Sequence, residues 1–161
     1  MARTIKRVNM AAVQQAPKAK RVAAYARVSC GRDAMLHSLS AQVSYYSALI
    51  QRTPGWEYVG VYADEALSGT KDTRGEFQKL LADCRAGKID LVVTKSISRF
   101  ARNTVTTLQT VREFRQLGVD VYFEEQNIHT LGEEGEFVLT LLAAYAEEEA
   151  RSVSENIRWH V

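Results

Sequence analysis

Apolar positions along the chain alternate between strand-like and helical spacing. Arg21 to Val28 contains the short apolar run Val22-Ala23-Ala24-Tyr25 and ends in Arg27, which reads as a first strand. A polar stretch from Ser29 to His37 reads as loop. Leu39, Val43, Tyr46 and Ile50 then recur at helical spacing, so a helix capped by Ser38 or Ser40 is predicted to run to about Arg52. Pro54-Gly55 ends it, and Trp56 to Tyr62 is a second strand, followed by a loop with Asp64, Ser68 and Gly69. Thr73-Arg74-Gly75-Glu76 has the form of a capping box. The helix it opens buries Phe77, Leu80, Leu81 and Cys84, with Gly87 at the C′ position.

Ile89 to Thr94 is a third strand, whose core Leu91-Val92-Val93 suits burial on both faces. The stretch Lys95 to Arg102 is a Ser- and Arg-rich loop. A helix follows from Asn103 or Thr104 to Gly118, then a fourth strand with Val119, Val121 and Phe123 in alternation. A polar loop, Glu125 to Glu134, leads to a last helix from about Gly135. This order predicts an α/β fold: a three-layer, parallel-type sheet of four to five strands with flanking helices and a long C-terminal helix. In that helix Phe137, Leu141 and Tyr145 share one face, and Val138, Leu142, Val153 and Ile157 lie farther round. The stripe covers about six turns, some 35 Å. One small domain is too narrow to cover it, so the second half is expected to project and meet a partner chain; the alternative is a helix packed on its own sheet. The expected division is a basic flexible arm over residues 1–20, a core domain over 21–135 and an oligomerisation helix over 136–161.

The 161 residues suit about one domain. There is no apolar run of membrane-spanning length and no signal-peptide core behind the basic N-terminus. Cys30 and Cys84 make no disulfide framework, and a reducing, cytoplasmic setting is expected. The histidines and cysteines lack metal-ligand spacing, so no metal or other cofactor is expected. The net charge of +2 is uninformative, but its distribution is not. Residues 1–21 hold Arg3, Lys6, Arg7, Lys18, Lys20 and Arg21 with no acid, either as a solvated tail or as an arm that reaches phosphates. Acids concentrate after Glu124.

Ligands of parallel α/β sheets bind beyond the carboxyl ends of the strands. This layout sends Arg27, Ser29 and Arg32, then Asp64 and Ser68, then Ser96, Ser98, Arg99 and Arg102, then Glu124 and Glu125, to that edge, with Gln42 and Arg74 at nearby helix starts. Guanidinium groups grip phosphate bidentately and remain charged. There is no GxxxxGK[ST] loop, no GxSxG elbow and no histidine placed for a triad. A serine among arginines suits attack on a phosphodiester, because the arginines stabilise the added charge of the pentacoordinate state. A generic ligand-binding α/β domain accounts for the same residues.

Tyr25-Ala26-Arg27-Val28-Ser29, Ser38-Leu39-Ser40-Ala41-Gln42, Asp64 with Ser68-Gly69, Arg74 with Phe77, and Ser98-Arg99-Phe100-Ala101-Arg102 together resemble the catalytic domain of the serine recombinases, the resolvase/invertase family. The resemblance runs from about Arg21 to Arg158. The segment Lys95 to Asn103 is similar to the large serine recombinases and integrases of mobile elements. The resemblance implies that Ser29 is the nucleophile that forms a 5′-phosphoserine link to DNA and frees a 3′-hydroxyl. It makes Arg27, Arg99 and Arg102 the phosphate contacts, Gln42 and Arg74 supporting polar residues, with Arg74 also facing DNA, and Asp64 a structural or positioning acid. Glu149 and Glu155 fall on acidic positions of the long helix. That helix is implied to assemble dimers and tetramers, in which strands are exchanged and rejoined at an attachment site in double-stranded DNA without ATP. DNA-binding domains are then expected beyond this chain.

Two departures stand out. Many small family members have Asp where Ser98 stands, which leaves the general base unassigned, and Asn156 replaces an arginine common on the long helix. Cys30, directly after Ser29, reads as a small loop residue. Two other classes stay open: an α/β assembly module that keeps its arginines for anion binding, and a small-molecule phosphohydrolase.

Overall fold

The computed structural model describes residues 18–29, 32–66, 74–100 and 104–159, with Ser29, 32–37, 66, 153 and 156–159 as backbone. Residues 1–17 of the expected arm lie outside it, as do Cys30, Ser68, Gly69, Thr73, Arg102 and Asn103. The elements are β1 (Lys20–Ser29), α1 (Arg32–Arg52), β2 (Trp56–Ala66), α2 (Gly75–Arg85), β3 (Leu91–Thr94), α3 (Ile97–Phe100), α4 (Thr104–Leu117), β4 (Asp120–Phe123), β5 (Ile128–His129) and α5 (Gly135–Trp159). One sheet has the order β2-β1-β3-β4-β5. Its first four strands are parallel and β5 runs antiparallel to β4.

Strand order explains the layers. The chain steps from β1 to β2 in one direction and from β3 to β4 in the other. Right-handed crossovers therefore place α1 on one face and α2 and α4 on the other. Side chains alternate accordingly. Val22, Ala24, Ala26, Leu91 and Val93 pack against Tyr46 and Ile50 of α1. Ala23, Tyr25, Val92, Val121 and Phe123 face the opposite side, against Phe77 and Leu80 of α2 and Val111 and Phe114 of α4. Burial on both faces is why β1 and β3 read as unbroken apolar runs.

Several boundaries differ from the sequence reading. α1 begins at Arg32, so Ser38 and Ser40 lie inside it and cap nothing. No Gly or Pro interrupts residues 32–52, and Ala34, Met35 and Leu36 are good helix formers, so nothing ends the helix short of Arg32. β2 continues to Ala66 because its register with β1 holds to the end, Arg27 opposite Asp64 and Ser29 opposite Ala66. Asp64 is therefore a strand residue. The first turn of α2 is capped from that strand: the Asp64 carboxylate accepts the Glu76 N–H at 3.0 Å and the Phe77 N–H at 2.9 Å. The expected loop after β3 contains the single turn α3, and the polar loop before α5 contains β5. Gly87 follows α2 at φ 74°, and its N–H donates to the Cys84 carbonyl at 3.1 Å, the glycine stop expected there.

α5 packs outside the three layers, with Val138 and Leu142 against Leu108 of α4. Phe137, Leu141 and Tyr145 face outward, 66%, 38% and 52% exposed, which leaves that stripe uncovered by its own domain. The start of α5 is tightly seated. Arg115 Nη1 donates to the Thr130 carbonyl at 2.9 Å, and a Cβ on Gly135 would lie 1.9 Å from that carbonyl oxygen. At the other end of the sheet, Arg21 holds Asp90 through both carboxylate oxygens at 3.0 Å, and that bond keeps the Asp90 carboxyl below its usual range.

Gly135→Ala is expected to destabilise the fold by about 1–3 kcal/mol, because backbone must move to admit the methyl group; the urea midpoint checks this. Asp90 stabilises the fold while ionised, since its folded-state value is the lower one. That stabilisation is complete above the ordinary carboxylate range, about pH 4, and is lost as pH falls through the folded-state value. The difference in urea midpoint between the parent and Asp90→Asn should therefore be small but present at pH 7, as befits a half-exposed pair, and should narrow as the pH falls below about 4.

Candidate active site

β1 and β3 are neighbours whose outgoing connections leave for opposite faces of the sheet. Such a switch point opens a crevice beyond the strand ends. A cavity of about 140 Å³ lies there, lined by Tyr25 through Val28 of β1, Ser38 and Gln42 of α1, Lys95 after β3 and Arg99 of α3. Three of these side chains are cations and none is a carboxylate. The Arg27 Nε is buried with no hydrogen-bond partner among the described residues. A buried guanidinium N–H without an acceptor is costly, and an anion in the crevice relieves it.

Arg99 is held by its neighbour. Phe100 is fully buried, with ring centroids at 5.6 Å from Phe77, 5.8 Å from Phe123, 6.1 Å from Phe114 and 6.4 Å from Tyr25, all edge-to-face. Its carbonyl accepts Arg74 Nη2 at 2.7 Å. The same nitrogen donates to the Tyr25 hydroxyl at 3.0 Å, and Tyr25 donates to Asp64 Oδ2 at 3.0 Å. The Arg74 guanidinium also stacks over the Phe77 ring, 4.2 Å from its centroid. A buried chain Asp64–Tyr25–Arg74–Phe100 thus ties β2, β1 and α3 together behind the cavity. Burial pushes the Tyr25 phenol well above its usual range, so it stays a neutral donor and acceptor.

The structure brings Arg27, Arg99 and Gln42 onto one cavity, with Ser29 as the last residue of β1, two residues beyond Arg27. Asp64 and Arg74 are buried, each 8% exposed, and sit in the layer behind the cavity rather than on its wall. Ser98 is exposed, and its hydroxyl pairs with that of Ser96 at 3.1 Å. Arg102 lies outside the described residues. The sequence pattern assigns no role at the site to Lys95 or the Tyr25 hydroxyl, and gives Ser38 only that of a helix cap, because the early start of α1 carries no apolar periodicity. Lys95 was detectable as a cation placed directly after a buried strand.

Residues 22–161 match the family described as Resolvase, N terminal domain. The chain belongs to the resolvase family. It is 32% identical over 135 residues to the Transposon Tn3 resolvase of Escherichia coli, covering 84% of this chain and 66% of that one, so it spans just under two thirds of that relative. Among solved structures it is similar to a resolvase family site-specific recombinase from Streptococcus pneumoniae, with TM-score 0.72, 29% identity, and 86% and 93% of the two chains covered. It is also similar to the N-terminal catalytic domain of TP901-1 integrase, with TM-score 0.58, 30% identity, and 82% and 98% covered. The resolvase-like α/β architecture expected from the resemblance is the one observed.

In this resolvase domain, removing the hydroxyl that joins Asp64 to Arg74 leaves both charged groups buried and short of a partner. Tyr25→Phe is expected to cost about 1–3 kcal/mol of stability at pH 7, read from the denaturant midpoint at unchanged slope.

Proposed function

We propose that this domain cleaves and rejoins DNA as the catalytic part of a site-specific serine recombinase. The observation that carries the reading is the cation-lined crevice at the end of β1, two residues from Ser29, in a chain of the resolvase family. Ser29 attacks the scissile phosphodiester, forming a 5′-phosphoserine ester and releasing a 3′-hydroxyl. Arg27 and Arg99 bind the non-bridging oxygens and stabilise their added charge, and Arg102 joins them from the segment after α3. Gln42 orients the phosphate from α1. Asp64 and Arg74 act as positioning residues, through Tyr25 and through the Phe100 carbonyl beside Arg99. Ser98 steadies the start of α3 through Ser96.

The phosphoserine ester conserves the energy of the broken bond, so the reaction needs no ATP, and the arginines carry the charge stabilisation for which a metal would otherwise be needed. The exposed stripe Phe137, Leu141, Tyr145 supports assembly of two and then four chains along α5, within which strands are exchanged. Residues 21–135 then act as the catalytic unit and 136–161 as the assembly helix, and recognition of an attachment site in double-stranded DNA is a property of the full-length protein.

The test is covalent capture. The full-length protein, incubated with duplex DNA carrying its crossover site, should yield a denaturation-resistant protein–DNA adduct, and Ser29→Ala should abolish it while site binding persists. Adduct formation by Ser29→Ala would remove Ser29 as the nucleophile.

A further inference from the structure

Resting on that reading of the site, we infer that the cavity beside the crevice receives the base of the nucleotide whose 5′ phosphate is attacked, rotated out of the duplex, and that it favours cytosine or adenine there. This second cavity holds about 520 Å³ and shares Ser38, Gln42 and Lys95 with the crevice, so one wall serves both. The rest of its lining is Ala41, Tyr45 and Tyr46 of α1 and Glu124 and Glu125 after β4. A space of this size, with apolar walls and a few placed polar groups, suits a small ring system.

Charge separates the two spaces. Among the described residues the crevice carries three cations and no carboxylate. The second cavity has Lys95 on the shared wall and two carboxylates beyond it. A phosphate is drawn to the first and repelled from the second. The base of the same nucleotide is neutral, and it brings a π face and an N–H edge.

Tyr45 matches the face. Its ring lies edge-to-face against Tyr46, with centroids 5.1 Å apart, and its hydroxyl donates to the Glu124 carboxylate at 2.9 Å. The residue is nevertheless 48% exposed. A ring that is already held but half open stacks a base with little further loss of freedom. The carboxylates match the edge. An ionised carboxylate only accepts, so it takes the amino group of cytosine or adenine and repels O4 of thymine. Glu124 keeps accepting capacity beyond the Tyr45 hydroxyl, and the Glu125 carboxylate makes no hydrogen bond or ion pair among the described residues. Their backbone is fixed to the end of β3: the Glu124 N–H donates to the Thr94 carbonyl at 3.0 Å and the Glu125 N–H to the Lys95 carbonyl at 2.9 Å. Unstacking a base has a cost, which the tyrosine and the carboxylates offset. In the 5′-phosphoserine product the same nucleotide stays on Ser29, so the cavity holds that strand end until it is rejoined.

The experiment uses the full-length protein and three forms of its crossover duplex. They carry cytosine, thymine or a reduced abasic residue at the nucleotide 3′ to the scissile phosphate, each base opposite its complement. The parent should form the covalent adduct on the order of 10-fold faster on the cytosine duplex than on the other two. Tyr45→Ala should lower the cytosine rate to the abasic rate and leave the abasic duplex unaffected. Tyr45→Phe, which keeps the ring, should keep the preference. Glu124→Gln combined with Glu125→Gln should bring cytosine and thymine level. A parent indifferent to the base, as a cavity for free nucleotides would leave it, would overturn the inference while leaving Ser29 cleavage intact. An equal loss in Tyr45→Ala on the cytosine and abasic duplexes would do the same. Absence of any adduct with the parental protein would remove the functional reading itself, and this inference with it.

Discussion

The Asp64 carboxylate is the joint on which this domain turns. It accepts two backbone N–H groups at the start of α2 and the Tyr25 hydroxyl of β1. A buried carboxylate is tolerable when its oxygens are so engaged, and each bond here fixes a different element. Through Tyr25 the contact reaches Arg74, and through Arg74 it reaches the backbone of Phe100. Arg99 is thereby positioned by a network that never touches it directly. Charge buried at Asp64 and Arg74 stiffens the layer from which Arg27 and Arg99 project.

Topology determines where that stiffness is used. β1 and β3 lie side by side in the sheet while the chain visits β2 between them. Their connections part to opposite faces, and the crevice between them collects side chains from β1, α1, the end of β3 and α3. Gathering cations is unfavourable in the free protein, and the unpartnered Arg27 Nε records part of that cost. In the proposed reaction the added negative charge on the pentacoordinate phosphorus relieves it, which is the physical sense of a site more complementary to the reacting than to the resting state. Among the described residues the wall carries no carboxylate, which keeps its field positive.

Much of the fold was legible because burial on two faces forces a recognisable pattern. The runs of β1 and β3, the face of α2 and the Gly87 stop all appear where apolar spacing and turn chemistry place them. Errors arose where pairing or packing overrode local chemistry. Asp64 looked like a turn acid, but strand pairing with β1 carries it into the sheet. Thr73 lies outside the described residues, and the carboxylate that accepts the Glu76 and Phe77 amides of α2 comes from β2, well before the helix it caps.

The residue types by themselves settled that arginines and a serine would share the carboxyl edge of an α/β sheet. That follows from alternation of strand and helix, a property local to the sequence. The strand order decided the rest, because it is set by nonlocal pairing that no window of residues encodes. Only that order puts Lys95 on the same wall as Arg27, and places Arg74 and Asp64 behind the wall instead of on it.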